Sequence, residues 1–212
     1  MRHQPLLVVL RASNPQDAAE ALVALQNLGV RHVELAWRDQ PSWVDECREL
    51  IRAFPGLSLG AASLCGVSAL EAAQRAGFRY AVSPILDPAM LQRTTAEMVL
   101  VPGVMTPTEV QRARGFGCQL VKLFPAVSVG PEHWRRLSAP LGGPLPFCIA
   151  AGGLGVPDVL PWLAAGVDAV ALGSSLRLGQ LDADDSGMAP LRELLAALER
   201  RPRRETDPVL PL

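Results

Sequence analysis

At 212 residues and a formal net charge of −1, the chain has room for one domain with a sizeable core. That charge gives no reason to expect nucleic acid or an anionic membrane as a partner. No apolar run approaches the roughly 20 residues of a membrane span, and Leu6–Leu10 is too short for a signal-peptide core. With four scattered cysteines read as reduced thiols, the expectation is a soluble cytoplasmic protein.

Short β-type runs alternate with helical stretches along the chain. The first strand, Leu6–Leu10, leads through Ser13-Asn14-Pro15, a cap followed by proline, into a helix to about Leu28 closed by Gly29. His32–Trp37 is the second strand, followed by a helix from about Ser42 to Ala53. Leu57–Ala61 and Tyr80–Ser83 are the third and fourth, with a helix Ser68–Ala76 between them. Val99–Pro102, Gln119–Phe124, Pro146–Ala150 and Ala169–Leu172 supply four more strands. Further helices begin near Thr106, Pro131 and Pro157, and a last one covers Ala189–Arg200.

Repeated βα units force parallel pairing through right-handed crossovers. Eight of them favour closure into a single (β/α)8 TIM barrel over residues 1–200, although an open doubly wound sheet shares the local pattern. Residues 201–212, within a tail rich in arginine and proline, read as disordered.

In such a barrel the chemistry gathers at the carboxyl ends of the strands. Lys122 is the only lysine beside nineteen arginines and lies inside the apolar run Gln119–Pro125. Arginine cannot lose its proton near neutrality and attack a carbonyl, whereas a desolvated lysine can. A Schiff-base nucleophile is the sharp reading; a snorkelling side chain that covers apolar surface is the bland one. Glu34, inside the strand His32–Trp37, is a plausible buried partner for Lys122, with a structural ion pair or an outward-facing side chain as the alternatives.

Gly152 and Gly153 follow the seventh strand, while Gly173 and Ser174 follow the eighth, where barrels often hold a phosphate on backbone N–H groups. Arg38 and Arg11 follow strands two and one, and their forked guanidinium groups suit a carboxylate or phosphate; each has a solvent-exposed loop residue as its plain alternative. Ser63 can donate to a substrate carboxylate or merely cap the next helix. His3, His32 and His133 lack the spacing of a metal site, and Trp37 and Trp134 read as packing residues.

The stretch Val101-Pro102-Gly103-Val104-Met105-Thr106-Pro107-Thr108-Glu109, with Val121-Lys122-Leu123-Phe124-Pro125-Ala126 and Val129-Gly130-Pro131, resembles the 2-keto-3-deoxy-6-phosphogluconate (KDPG) / 4-hydroxy-2-oxoglutarate (KHG) aldolase family. Matches at Gly29–Glu34 with Arg38, Gly60–Ser63, Ser83–Asp87, Gly152-Gly153 and Gly173-Ser174 extend the likeness over nearly the whole chain, short of the tail. The resemblance implies a class I aldolase barrel, free of metal and cofactor, that acts as a homotrimer. By position it makes Lys122 the Schiff-base lysine and Glu34 the general acid/base. Arg38 and Ser63 fall where the pyruvyl carboxylate is held, Pro84 and Phe124 line the pocket, and Gly152, Gly153, Gly173 and Ser174 form the phosphate cradle.

Two departures bear on the chemistry. The family's Gly-Ala-Gly-Thr stands here as Gly60-Ala61-Ala62-Ser63, and its Pro-Thr-Gly-Gly as Ala150-Ala151-Gly152-Gly153, which loses a hydroxyl beside the lysine. The expected reaction is cleavage of KDPG, a phosphorylated 2-keto acid, to pyruvate and glyceraldehyde 3-phosphate, as in the Entner-Doudoroff route. Alternative substrates are 4-hydroxy-2-oxoglutarate and 2-keto-3-deoxy-6-phosphogalactonate. From a different class, a catalytically idle barrel that binds a phosphometabolite remains open.

Overall fold

The computed structural model describes residues 4–173, 176 and 188–201. Its strands are β1 (Leu6–Leu10), β2 (His32–Ala36), β3 (Ser58–Ala62), β4 (Tyr80–Val82), β5 (Val99–Val101), β6 (Gly103–Val104), β7 (Leu120–Leu123), β8 (Phe147–Ala151) and β9 (Ala169–Leu172). Every pairing is parallel, in the order β5-β4-β3-β2-β1-β9-β8-β7-β6. The two outer members of that order are consecutive in the chain. β5 pairs with β4, β6 pairs with β7, and only Pro102 separates them. The sequence expected one strand here; proline has no N–H for a ladder and breaks it in two. The Pro102 carbonyl nonetheless accepts from Lys122 N at 2.8 Å, so the eight-unit barrel closes through this split strand.

The helices are α1 (Pro15–Asn27), α2 (Trp43–Ala53), α3 (Val67–Ala76), α4 (Pro88–Arg93), α5 (Pro107–Gly115), α6 (Glu132–Leu141), α7 (Val159–Ala164) and α8 (Ala189–Glu199). Local chemistry sets their starts. Asn14 accepts from Asp17 N at 2.9 Å ahead of Pro15, and Thr106 and Glu109 form a reciprocal capping box at α5. Helix α4 escaped the sequence reading because it has only six residues; its signal was Asp87-Pro88, whose carboxylate caps Ala89 N at 2.8 Å.

Period-2 alternation along the strands sorts their side chains into two cores. Leu6, Val8, Leu10, Val33, Leu35, Val121 and Leu123 point outward into the layer beneath the helices. Leu7, Val9, Tyr80, Val82, Val101, Leu120, Ile149 and Ala171 fill the barrel interior. Glu34 and Lys122 alternate with outward residues on their own strands and therefore share the interior side. Trp37 packs edge-on against Trp43, with ring centroids 4.7 Å apart, and Trp134 is buried, both as packing residues. His133 is half-buried and bonds through Nε2 to the Met105 carbonyl at 2.8 Å. Arg201 donates to the Leu163 carbonyl at 3.0 Å, so the packed chain extends one residue past the expected boundary; residues 202–212 lie outside the described ones.

Candidate active site

Glu34 is 1% exposed and Lys122 is 5% exposed. Neither carboxyl oxygen of Glu34 has a hydrogen-bond partner among the described residues. A buried polar group without a partner costs on the order of 1–3 kcal/mol, so its retention asks for an explanation. Burial pushes the Glu34 carboxyl up to about 7, against the opposing pull of the Lys122 and Arg11 charges. Burial likewise draws the Lys122 ammonium below its ordinary value; Glu34 opposes that shift and the Arg11 charge adds to it. Both displacements favour the uncharged forms of the two groups. The amine also lies over the Phe124 ring, 4.8 Å from its centroid, where an ammonium would keep some cation–π stabilisation.

The rim above this pair is built from loops after several strands. Ser63, following β3, has φ 65°, a left-handed conformation that costs a residue with a Cβ and tends to occur where function over-determines the backbone. The buried Ser83 Oγ accepts from Ile85 N at 3.0 Å and shapes the turn that carries Pro84. Gly152 and Gly153 have φ 95° and 79° and wrap tightly against the loop after β7. A β-carbon on Gly152 would stand 2.8 Å from the Phe124 ring, and one on Gly153 would stand 2.4 Å from Val127 Cγ1. Only glycine meets both demands, so this turn can bring its backbone close to a bound group. Arg11 Nη1 lies 3.1 Å from where a β-carbon on Gly173 would be, so Arg11 reaches from the end of β1 to the end of β9. Ser174 lies outside the described residues.

Arg38 behaves differently from Arg11. Its guanidinium forms an ion pair with Glu46 of α2 and donates to the Ser13 carbonyl at 2.6 Å. Glu46 also accepts from Ser42 Oγ at 2.7 Å. Arg38 thus sits in the layer between α1 and α2, near a cavity of about 20 Å³ that Cys47 and Trp43 help to line. Of the sequence candidates, Glu34, Lys122, Phe124 and Arg11 are brought together; Ser63, Pro84, Gly152, Gly153 and Gly173 follow strands at the same face; Arg38 is turned aside. Larger clefts of about 490 and 710 Å³ near Gly77 and Arg79 hold none of these candidates.

Sequence reasoning passed over two neighbours of the pair. Tyr80 is fully buried beside Glu34, and its signal was that it is the chain's only tyrosine. Cys65 is an exposed thiol in the loop after β3, close enough for its charge to bear on Lys122; nothing in its spacing singled it out. No group of three or more histidine, cysteine, aspartate or glutamate side chains among the described residues is arranged to hold a metal ion.

The family model "KDPG and KHG aldolase" matches residues 1–187. A probable 2-dehydro-3-deoxy-6-phosphogalactonate aldolase of Rhizobium meliloti is 30% identical over 195 residues, 91% of each chain. The 2-dehydro-3-deoxy-6-phosphogalactonate aldolase of Escherichia coli K12 is 29% identical over 83% of this chain and 86% of its own. Among solved structures, the 2-keto-3-deoxy-6-phosphogluconate aldolase of Zymomonas mobilis ZM4, determined with 3-phosphoglycerate, superposes with a TM-score of 0.75 at 26% identity, covering 94% of both chains. A buried lysine and carboxyl at the heart of a (β/α)8 barrel, and a family match over most of its length, lead to one assignment: the chain belongs to the KDPG and KHG aldolase family and is a carbon–carbon lyase.

Proposed function

We propose that the protein cleaves a 2-keto-3-deoxy-6-phosphoaldonate to pyruvate and glyceraldehyde 3-phosphate through a Schiff base on Lys122. The observation that carries this reading is the pairing of a buried lysine, drawn below its ordinary pKa, with a buried, unpartnered carboxyl at about 7. The neutral Lys122 amine attacks the C2 ketone to give a carbinolamine. Glu34 then protonates the departing C2 hydroxyl, water leaves, and the iminium becomes an electron sink. The resulting Glu34 carboxylate takes the C4 hydroxyl proton while the C3–C4 bond breaks and its electron pair forms the enamine. Glu34 returns that proton to C3, and water hydrolyses the iminium, releasing pyruvate and the neutral amine while the liberated proton returns to Glu34.

The turn Gly152-Gly153, Gly173 and Ser174 supply the phosphate cradle in this reading. Arg11, which already spans to Gly173, adds the positive charge that a phosphate calls for. Ser63, Pro84 and Phe124 shape the pyruvyl end. Arg38 joins them only after leaving Glu46. A homotrimer in the cytoplasm completes the reading, and sedimentation of the purified protein tests the trimer.

The sequence put the gluconate first; one observation favours its C4 epimer, the galactonate. Both curated relatives described above are named for it, with coverage of 91% and 83% of this chain.

Borohydride added with pyruvate tests the nucleophile: a covalent adduct should form on Lys122 and be absent in Lys122→Arg. An unlabelled wild-type peptide overturns the mechanism. A coupled pyruvate-release assay with both epimers should give the higher kcat/KM for the galactonate; the reverse ratio restores the gluconate. Equal inertness of wild type and Lys122→Arg would instead support the idle barrel.

A further inference from the structure

Glu34, Gly60 and Tyr80 form one row across three neighbouring strands. Glu34 is registered with Gly60, and the alignment of Ala61 with Ala81 sets Gly60 beside Tyr80. Gly60 has no side chain, and the Tyr80 ring occupies its place: a β-carbon there would stand 2.2 Å from Tyr80 Cε2 and Cζ. The tip of the phenol therefore lies across β3, on the side facing β2. Its hydroxyl donates to the Ser58 carbonyl at 3.4 Å, a long bond for an O–H donor, whose usual range ends near 3.0 Å. Ser58 is in turn registered with His32, two residues below Glu34. The hydroxyl is thus a loosely held donor within electrostatic reach of a buried carboxyl whose two oxygens have no hydrogen-bond partner among the described residues.

We propose that Tyr80 is a positioning residue for Glu34: its hydroxyl turns from the Ser58 carbonyl to the Glu34 carboxylate whenever that carboxyl gives up its proton. The role rests on Glu34 acting as the acid/base. A carboxylate formed in the buried interior during turnover needs a donor, and Tyr80 supplies one from the barrel wall. Burial and the Glu34 charge both hold the phenol's own proton on, so it remains a donor throughout. Among the described residues, the other titratable and charged groups facing Glu34 are Lys122 from β7, Arg11 from the loop after β1, and His32 on its own strand. Lys122 is committed to the substrate during the reaction. His32, with Nδ1 unpartnered, stays neutral in the interior.

The test is Tyr80→Phe, which keeps the ring over Gly60 and removes only the hydroxyl. Carbon-13 NMR of labelled glutamate carboxyls, with the Glu34 signal identified by its loss in Glu34→Gln, reads the titration directly and needs no substrate. Its midpoint should rise by about one pH unit in Tyr80→Phe, the size expected for losing a charge-assisted hydrogen bond. An unmoved midpoint overturns the proposal. In turnover, kcat should fall about tenfold while KM and the borohydride-trapped yield on Lys122 stay unchanged. A lower kcat with an unmoved midpoint reduces Tyr80 to packing and also overturns it. Because the NMR readout stands apart from activity, a wild type that releases no pyruvate would sink the aldol reading without deciding the role of Tyr80.

Discussion

The carboxylates of two carboxylate–cation sets, Glu34 and Glu46, lie twelve residues apart in the second βα unit, and the sets have opposite characters. Outside the barrel, Glu46 accepts from Ser42 and pairs with Arg38, which also holds the Ser13 carbonyl; their side chains keep 18% and 22% of their exposure. Inside, Glu34 has almost none and no hydrogen bond among the described residues, and its cation is a lysine that is itself drawn toward neutrality. The outer set satisfies its partners and ties two loops to α2. The inner set leaves its partners unsatisfied, which makes its protons available. Satisfied polar groups hold a fold together, whereas unsatisfied buried ones store free energy that a reaction can use.

The largest test of that contrast is Glu34→Gln. Removing the acid/base should lower kcat by about 10²–10⁴-fold, measured by pyruvate release. The same change should stabilise the fold. The folded Glu34 pKa of about 7 lies above the ordinary 4.5, so the native state holds a proton that the unfolded chain gives up above pH 4.5. That difference costs the native protein about 3 kcal/mol at pH 7 and vanishes below about pH 4.5. Denaturant melts should therefore find Glu34→Gln about 3 kcal/mol more stable than wild type at pH 7, and less than about 1 kcal/mol more stable at pH 5. A variant no more stable at pH 7 would place Glu34 among ordinary, satisfied carboxylates.

The contrast between the two sets was only partly legible from residues. Apolar runs bounded by Gly and Pro located β1 and β9 to the residue, because a strand buried on both faces is a continuous apolar stretch. Lys122 and Glu34 stood out for the same reason: a charge inside such a run has to be explained. The Arg38–Glu46 pair did not, since it depends on which way a loop arginine turns after its strand ends. The place of Tyr80 was hidden too. It follows from the register of β3 with β4 and from the missing side chain at Gly60, and neither can be read from one strand alone.

A smaller effect concerns His32, the other buried titratable group of β2. Its pKa falls to about 3, chiefly through burial, with nearby positive charges including Arg31 adding to it. The native state refuses a proton that the unfolded chain accepts below about 6.5. Stability is therefore full above that pH and is lost as pH falls toward 3, by about 2 kcal/mol at pH 5. Between pH 7 and 5 this loss opposes the gain from Glu34, so these two groups nearly cancel in the wild type. Glu34→Gln removes the gain, and its stability should drop by about 2 kcal/mol over that interval. Adding His32→Phe should flatten most of that drop. If the double variant falls as steeply as Glu34→Gln alone, His32 does not control the acid limb.

The smallest effect belongs to the outer pair, and it tests whether the two sets are truly separate. Both Arg38 and Glu46 retain contact with solvent, so Glu46→Gln should cost about 1 kcal/mol or less in a denaturant melt. The freed guanidinium keeps its bond to Ser13, and nothing in the interior loses a partner. If the outer set only ties loops, kcat should stay within about twofold of wild type, since the interior proton donors are untouched. If Arg38 leaves Glu46 to meet the substrate carboxylate, weakening the ion pair removes a competitor, and KM should fall while kcat holds. A large fall in kcat would erase the distinction, because it would make the satisfied pair as much a part of the proton chemistry as Glu34.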